Sequence, residues 1–157
     1  MHGSAAVWSK ERAQAIIDAH RATEGAALPI LHDLQAAFGH VPEEAVPMIA
    51  HALNLTRAEV HGIVSFYHDF RRAPAGRHVL KVCRAEACQS VGGEAIAETS
   101  LKRLGMAWGD TTPSGSLTIE AVYCLGLCAC SPSAMLDGKP VGRLDQARLD
   151  ALIDRVA

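Results

Sequence analysis

Apolar residues recur three and four positions apart through most of the first half of the chain, which is the spacing of a helix face. Ser9 is placed to cap a first helix, and Thr56 with Glu59 matches a capping box for a fourth. The third helix is predicted to be regular only from about Pro47 to Leu53, because proline has no N–H to donate. The other predicted helix faces consist of Ala13, Ile16, Ile17 and His20, of Ile30, Leu31, Leu34 and Phe38, and of Val60, Ile63 and Val64. The first half is therefore predicted to be a helical bundle.

The second half changes to an alternation of short strands and helices. Residues 78–83 and 117–123 have the pattern of strands, and the stretch 91–104 between them has that of a helix. Residues 137–139 (DGK) form a hairpin signal, and Asp145 is placed to cap a last helix. A strand–helix–strand unit implies parallel pairing through a right-handed crossover, and the hairpin adds an antiparallel edge. This order predicts an α+β protein whose second half is a thioredoxin-like α/β sandwich.

Residues 71–77 (RRAPAGR) have the proline, glycine and charge content of a linker. We therefore predict a helical domain over residues 1–76 and an α/β domain over residues 77–157. The formal charge of −2, from 15 basic and 17 acidic residues, is too balanced for a protein whose main partner is nucleic acid.

The chain is expected to be cytoplasmic and soluble. Residues 1–8 have no basic run before an apolar stretch and no cleavage motif, so no secretory signal is expected. The longest apolar stretches are shorter than the roughly 20 residues of a membrane span, which excludes membrane insertion. Five cysteines are too few for a disulfide scaffold and favour metal or redox chemistry in a reducing compartment.

The cysteines form a pattern of C-x4-C, a gap of 35 residues, and C-x3-C, with a fifth cysteine two positions later. Each pair begins where a predicted strand ends, so parallel strands would bring both loops to one edge of the sheet, within about 10 Å. Four thiolates suit a [2Fe–2S] cluster or a tetrahedral zinc ion. The wide spacing favours the cluster over zinc, and plain buried or redox-active thiols remain a third interpretation. No histidine lies between residues 79 and 157, which disfavours mixed Cys/His sites.

Several segments resemble the 24 kDa subunit family of respiratory NADH dehydrogenase, and they occur in the order of that family. They are residues 39–46 (GHVPEEAV), 58–67 (AEVHGIVSFY), the C-x4-C pair and 124–128 (CLGLC). Residues 68–78, together with 83–90 (CRAEACQS), look most like the gamma subunit of soluble NAD-dependent molybdenum formate dehydrogenase. The resemblance extends from about residue 27 to the C-terminus.

The resemblance implies a thioredoxin-like domain with one [2Fe–2S] cluster, and it implies the ligands Cys83, Cys88, Cys124 and Cys128. It also implies that the helical domain docks on a partner that binds flavin and NADH. FMN, a molybdenum cofactor and further iron–sulfur clusters are then expected on partner subunits, including a molybdenum catalytic subunit. Cys130 has no counterpart in the four-cysteine pattern and is expected to pack as a small buried residue.

Other residues carry weaker expectations. Gly126 is a candidate for a tight turn that aims backbone N–H groups at sulfur. Four arginines, at positions 71, 72, 77 and 84, are either a solvated charge run or a means of stabilising an anionic cluster or meeting an acidic partner. Phe66, Tyr67 and Phe70 are candidate anchors of a subunit interface, with packing between the domains as the alternative.

The chain has no glycine-rich fingerprint for a flavin or nicotinamide. It is therefore expected to move single electrons and not to accept hydride. The leading hypothesis is a [2Fe–2S] subunit beside the FMN of an NAD-linked complex, most closely formate dehydrogenase. The alternatives are a 24 kDa-type subunit of an NADH-quinone oxidoreductase or hydrogenase, and a zinc-stabilised interaction module without redox chemistry.

Overall fold

In a computed structural model, which describes residues 7–157, all regular structure before residue 74 is helical. The helices are α1 (Lys10–His20), α2 (Ala27–Phe38), α3 (Ala45–Leu53) and α4 (Arg57–Phe66). Residues 1–6, on which the expectation of no secretory signal partly rests, lie outside the described residues. One compact unit of the fold ends at Pro74, and a second begins at Ala75.

The helix ends follow the local capping signals. The Ser9 hydroxyl accepts a hydrogen bond from the Arg12 N–H at 3.2 Å, as predicted. At α4 the Thr56 hydroxyl accepts from the Glu59 N–H at 3.1 Å, and the Glu59 carboxylate accepts from the Thr56 N–H at 2.7 Å. This backbone hydrogen bond, with a second from the Thr56 hydroxyl, lowers the pKa of Glu59. Each bond satisfies an N–H that a helix start leaves without an intrahelical acceptor.

The third helix begins earlier than predicted, at Ala45 and not at Pro47. Pro47 is the third residue of α3, and the first four N–H groups of a helix have no acceptor within it. The missing N–H of Pro47 therefore removes no helical hydrogen bond.

The core of this unit is mainly aliphatic and also includes the buried rings of Phe38 and Phe70. Side chains from α1, α2 and α3 meet there without exposure to solvent, among them Ile17, Ile30, Leu34 and Ile49. Phe38 is also buried, and Trp8 packs on it with ring centroids 5.2 Å apart. Each fully buried side chain of this size contributes roughly 1.5–3 kcal/mol relative to exposure.

The second unit contains a four-stranded sheet with three helices. Its elements are β1 (His78–Cys83), α5 (Glu86–Gln89), α6 (Gly93–Leu104), β2 (Leu117–Val122), β3 (Ala134–Leu136), β4 (Lys139–Val141) and α7 (Gln146–Asp154), with a short 3-10 helix at Cys128–Cys130. Two predicted boundaries are wrong by one or two residues. The long helix starts at Gly93 and not at Val91, and the second strand ends at Val122 and not at Tyr123. The one-turn helix α5 was not predicted, since four residues are too few to show a helical period.

The sheet has the strand order β2-β1-β3-β4. β1 and β2 are parallel neighbours, and β3 pairs antiparallel with β1. The turn between β3 and β4 places Asp137 and Gly138 at φ 50° and 80°, as the tight hairpin predicted from this sequence requires. Side chains of α6 and α7 pack with Leu80, Val82 and Ile119 of the sheet. The predicted α+β class and the thioredoxin-like arrangement are thereby confirmed.

No helix within residues 7–157 combines the length and the apolar character that crossing a membrane requires.

Gly93 allows α6 to approach the segment that carries Cys88. A Cβ atom at Gly93 would lie 2.6 Å from the Cys88 carbonyl oxygen and 3.3 Å from the Pro132 Cβ. We expect Gly93→Ala to lower the free energy of unfolding by about 1–3 kcal/mol, because backbone atoms would have to move. The matched control is Gly62→Ala in α4, where no atom lies within 4 Å and up to about 1 kcal/mol of stabilisation is expected. Thermal unfolding that moves both variants in the same direction would contradict the close approach at Gly93.

Candidate metal centre

The parallel pairing of β1 and β2 brings the two cysteine loops to the same edge of the sheet. Cys83 is the last residue of β1 and pairs with Val122, the last residue of β2. Cys124 follows two residues later. Because the two strands are neighbours, with none between them, the loops start about 4.8 Å apart. This separation is smaller than the distance of up to about 10 Å that the sequence analysis allowed.

The first loop is short and folded back on the sheet. Its first N–H, from Arg84, donates to the Val122 carbonyl at 2.8 Å, and the Gln89 side chain donates to the Arg84 carbonyl at 2.7 Å. This places Cys88 in α5, and hydrogen bonding with Cys83 is among the causes that lower the pKa of the Cys88 thiol. Both are buried, with 4% of Cys83 and 2% of Cys88 exposed.

The second loop is exposed and turns through left-handed backbone. Cys124 has φ 93°, an uncommon value for a residue other than glycine, and Gly126 has φ 74°. The turn directs the Gly126 N–H at the Cys124 sulfur, 3.4 Å away, as expected for this glycine. Cys128 opens the 3-10 helix, and its sulfur lies 3.9 Å from that of Cys124. Two thiolates at about 2.3 Å from one tetrahedral ion would be about 3.8 Å apart, so this pair is spaced to share an ion.

Charge from the other cysteines acts on Cys128. Hydrogen bonding and charge from Cys124 raise the pKa of the Cys128 thiol most, and Cys88 and Cys83 add to the effect. For Cys88, burial acts to raise the pKa, but hydrogen bonds with Ser133, Ser131 and Cys83 outweigh it and the net shift is downward. The pairing of β1 with β2 thus starts the two cysteine loops at one edge of the sheet, and the four-cysteine ligand set stays a prediction.

The arrangement of the thiols fits a two-iron cluster. Within residues 7–157 no three His, Cys, Asp or Glu side chains are grouped closely enough to hold one metal ion. The sulfurs of Cys124 and Cys128 form one close pair, and Cys83 and Cys88 are the two buried thiols of the first loop. A [2Fe–2S] cluster needs four thiolates, two at each iron. The residues present can thus hold such a cluster.

Cys130 lies at the end of the 3-10 helix and is half-buried. It packs on Gly142, where an added Cβ would lie 2.7 Å from the Cys130 Cβ, and its carbonyl accepts from the Arg143 N–H. This is the environment of a small packed side chain.

The four arginines are divided between the two units of the fold. Arg71 and Arg72 precede the boundary at residue 74, whereas Arg77 and Arg84 follow it. Arg84 forms a two-pronged ion pair with Glu94, and its guanidinium lies 4.9 Å from the centre of the Trp108 ring. Its charge is engaged within its own unit, and the expectation that the arginines stabilise an anionic cluster or meet an acidic partner stays a prediction.

The aromatic group is also divided. Phe70 is only 6% exposed and belongs to the helical core, whereas 72% of Phe66 is exposed. Tyr67 is exposed and bridges the two, with ring centroids 5.1 Å from Phe66 and 6.0 Å from Phe70. Phe66 and Tyr67 are thus available at the surface, and Phe70 is not.

The sequence reasoning missed two serines on either side of Pro132. Ser131 and Ser133 each place a hydroxyl 3.6 Å from the Cys88 sulfur, although they lie more than 40 positions away in the chain. The only signal was the motif Ser-Pro-Ser directly after Cys130, and a spacing rule for ligands does not include hydroxyls.

Comparison with known proteins identifies the family. The family model of the thioredoxin-like [2Fe–2S] ferredoxins matches residues 13–157. The chain belongs to this family. Membership confirms the [2Fe–2S] cluster as the cofactor of this ferredoxin and removes the zinc module from consideration. The match begins earlier than the resemblance seen in the sequence and includes most of the helical unit.

The relatives of this ferredoxin are components of larger enzymes. It is 36% identical over 129 residues to a subunit of the NADH-quinone oxidoreductase of Rhizobium meliloti, covering 82% of this chain and 77% of the relative. It is 31% identical over 130 residues to the HndA subunit of the NADP-reducing hydrogenase of Solidesulfovibrio fructosivorans, covering 83% of this chain and 76% of the relative.

A solved structure gives the same picture. An NAD+-reducing [NiFe]-hydrogenase in its H2-reduced state matches with a TM-score of 0.67 and 27% identity. The match covers 82% of this ferredoxin but only 22% of the hydrogenase chain, so the ferredoxin corresponds to about a fifth of that protein. The similarity to these proteins supports the broad resemblance to the 24 kDa subunits.

The two cysteine pairs should differ in their access to reagents. In the reduced, cluster-free chain we expect iodoacetamide to modify Cys124 and Cys128 well before Cys83 and Cys88, because only Cys124 and Cys128 are exposed. Peptide mass spectrometry at successive times measures each site. Urea-unfolded protein is the control, in which all five thiols should react at similar rates. Equal rates in the folded chain would contradict the burial of the first loop.

Proposed function

We propose that this chain is the [2Fe–2S] electron-transfer subunit of an NAD-linked, flavin-containing oxidoreductase complex, most closely a molybdenum formate dehydrogenase. In this proposal it exchanges single electrons with the FMN of a partner subunit. The observation that carries the proposal is the convergence of two thiol pairs at the ends of adjacent parallel strands, one pair buried and the other exposed.

We assign Cys83, Cys88, Cys124 and Cys128 as the residues that would hold the cluster. When bound, the cluster supplies one-electron chemistry. The buried pair anchors it to the sheet, since both cysteines lie in a loop fixed by backbone hydrogen bonds. The exposed pair, Cys124 and Cys128, faces solvent, so that a partner can approach the cluster from this side. We assign no ligand role to Cys130.

The segment that carries the exposed pair has no charged side chain of its own, which suits close docking of a partner. Residues 123–133 contain no charged side chain, and Tyr123 at the start of this stretch is exposed. An uncharged surface can be covered without removing water from unpaired charges, which favours close approach of two redox centres. The Gly126 N–H directed at sulfur contributes to the stability of the thiolate there.

The identity of the complex rests on two kinds of support. The names of the relatives favour NADH-quinone oxidoreductase and NAD-reducing hydrogenase, and this is the second candidate function. Residues 68–78 and 83–90 favour formate dehydrogenase, through their resemblance to its gamma subunit. In all three cases the chain needs a partner for flavin and NAD, because it has no glycine-rich fingerprint of its own.

We further propose that residues 1–76 form a docking domain and residues 77–157 the cluster domain of a cytoplasmic complex. The exposed aromatic side chains of Phe66 and Tyr67 support the docking role. Buried aromatic anchors dominate the energy of many protein interfaces, and exposed rings of this kind become such anchors when a partner covers them.

The ligand assignment predicts two irons and two acid-labile sulfides per chain after anaerobic purification. Replacing Cys83, Cys88, Cys124 or Cys128 by Ala should remove the visible absorption of the cluster or most of it, because one iron loses a thiolate. Cys130→Ser is the matched control and should keep both iron and absorption. Loss of the cluster in the Cys130 variant, or its full retention in any of the four others, would overturn the assignment.

The identity of the complex can be tested by purifying it through a tag on this chain from its native source. We expect a flavin subunit, molybdenum, and reduction of NAD+ that depends on formate. The chain alone should bind neither FMN nor NADH tightly and should not oxidise formate. Nickel with hydrogen-dependent activity, or reduction of quinone by NADH without molybdenum, would contradict the formate dehydrogenase assignment and favour the second candidate.

A further inference from the structure

Ser133 contacts both cysteines of the buried pair. It lies immediately before β3 and is 1% exposed, and its hydroxyl oxygen is 3.6 Å from the Cys88 sulfur. Its N–H contributes to the lowered pKa of the Cys88 thiol, and its carbonyl accepts the Cys83 N–H at 3.0 Å. A single residue thus connects the end of β1, the α5 loop and the start of β3.

The direction of the hydroxyl bond depends on the state of Cys88. In the free thiol either atom can donate the proton. A cysteine sulfur bound to iron has lost its proton and can only accept. Within residues 7–157 the Ser133 hydroxyl makes no other hydrogen bond, so its proton is available for the sulfur.

Ser131 provides an internal comparison. Its hydroxyl is equally far from the Cys88 sulfur, at 3.6 Å, but it donates its proton to the Cys128 carbonyl at 2.8 Å. Toward Cys88 it therefore acts as an acceptor of the thiol proton. Once that proton is lost, Ser131 has no second proton to offer.

We propose that Ser133 is a positioning residue of the cluster: its hydroxyl donates a hydrogen bond to the Cys88 sulfur, which holds that sulfur as a ligand and raises the reduction potential of the cluster. The proposal rests on the proposed function, because it requires Cys88 to be a ligand.

The physical reason is the charge that reduction adds. One electron, supplied in the complex by the reduced flavin of the partner, places one more negative charge on the iron–sulfur unit and its thiolates. Hydrogen bonds to the ligating sulfur stabilise the more negative state more strongly, and they are among the factors that set the potential of such clusters. Since both Ser133 and Cys88 are buried, water does not replace a lost bond, and the effect is not screened.

The test is an EPR-monitored redox titration of the full-length, cluster-containing chain, with dithionite as reductant. We expect Ser133→Ala to lower the midpoint potential and Ser133→Thr, which keeps the hydroxyl, to restore most of it. Ser131→Ala should produce a clearly smaller shift. Ser116→Ala is the matched control and should produce none, because Ser116 is a buried serine of the same unit whose hydroxyl bonds only Thr112 and Ser114.

Each outcome decides the proposal. An unchanged or raised potential in Ser133→Ala, or a larger shift in Ser131→Ala, would overturn it. Loss of the cluster in Ser133→Ala with retention in Ser133→Thr and unchanged circular dichroism supports the holding role. Loss in both variants would show that packing and not the hydroxyl matters, and would overturn the proposal. A cluster that survives Cys88→Ala would instead refute the proposed ligand set, and the two failures are thus distinguishable.

Discussion

The parallel pairing of β1 with β2 is the constraint on which the rest of the metal centre depends. It aligns Cys83 with Val122 and so starts both ligand loops at one edge of the sheet. Parallel strands need a crossover, and α6 with the segment after it forms this connection. The same helix approaches the Cys88 carbonyl so closely that only glycine fits at position 93. The packing of α6 and the placement of the two cysteine loops therefore both depend on the pairing of β1 with β2.

The centre is asymmetric in its burial. One thiol pair is enclosed by the sheet, α5 and the segment around Ser133, whereas the other lies on an exposed loop with left-handed backbone. Polar contacts inside protein act at lower effective dielectric than those at the surface. In the proposed function the enclosed half holds the cluster, and the exposed half faces a partner.

The immediate surroundings of the cysteines are held by contacts that involve no metal. Arg84, next to Cys83, is fixed by Glu94 from α6 and by the face of Trp108. Because both groups of the Arg84–Glu94 pair are partly exposed, the pair contributes little to stability on its own. The pair instead holds the first cysteine loop against α6, the helix that follows it. The cation–π contact with Trp108 also holds Arg84 in place.

The sequence by itself determined the features whose causes are local. Capping at Ser9 and Thr56, the Asp137–Gly138 turn, the strand at residues 78–83 and the position of each cysteine pair at a strand end all depend on neighbours within a few residues. Only the tertiary structure decided that β1 and β2 are direct neighbours and that Phe70 is buried while Phe66 is exposed. It also decided that Ser133 meets Cys88 across 45 positions of chain. Such contacts depend on strand register and helix packing, and these are set by the burial of the whole core, which no short window of sequence contains.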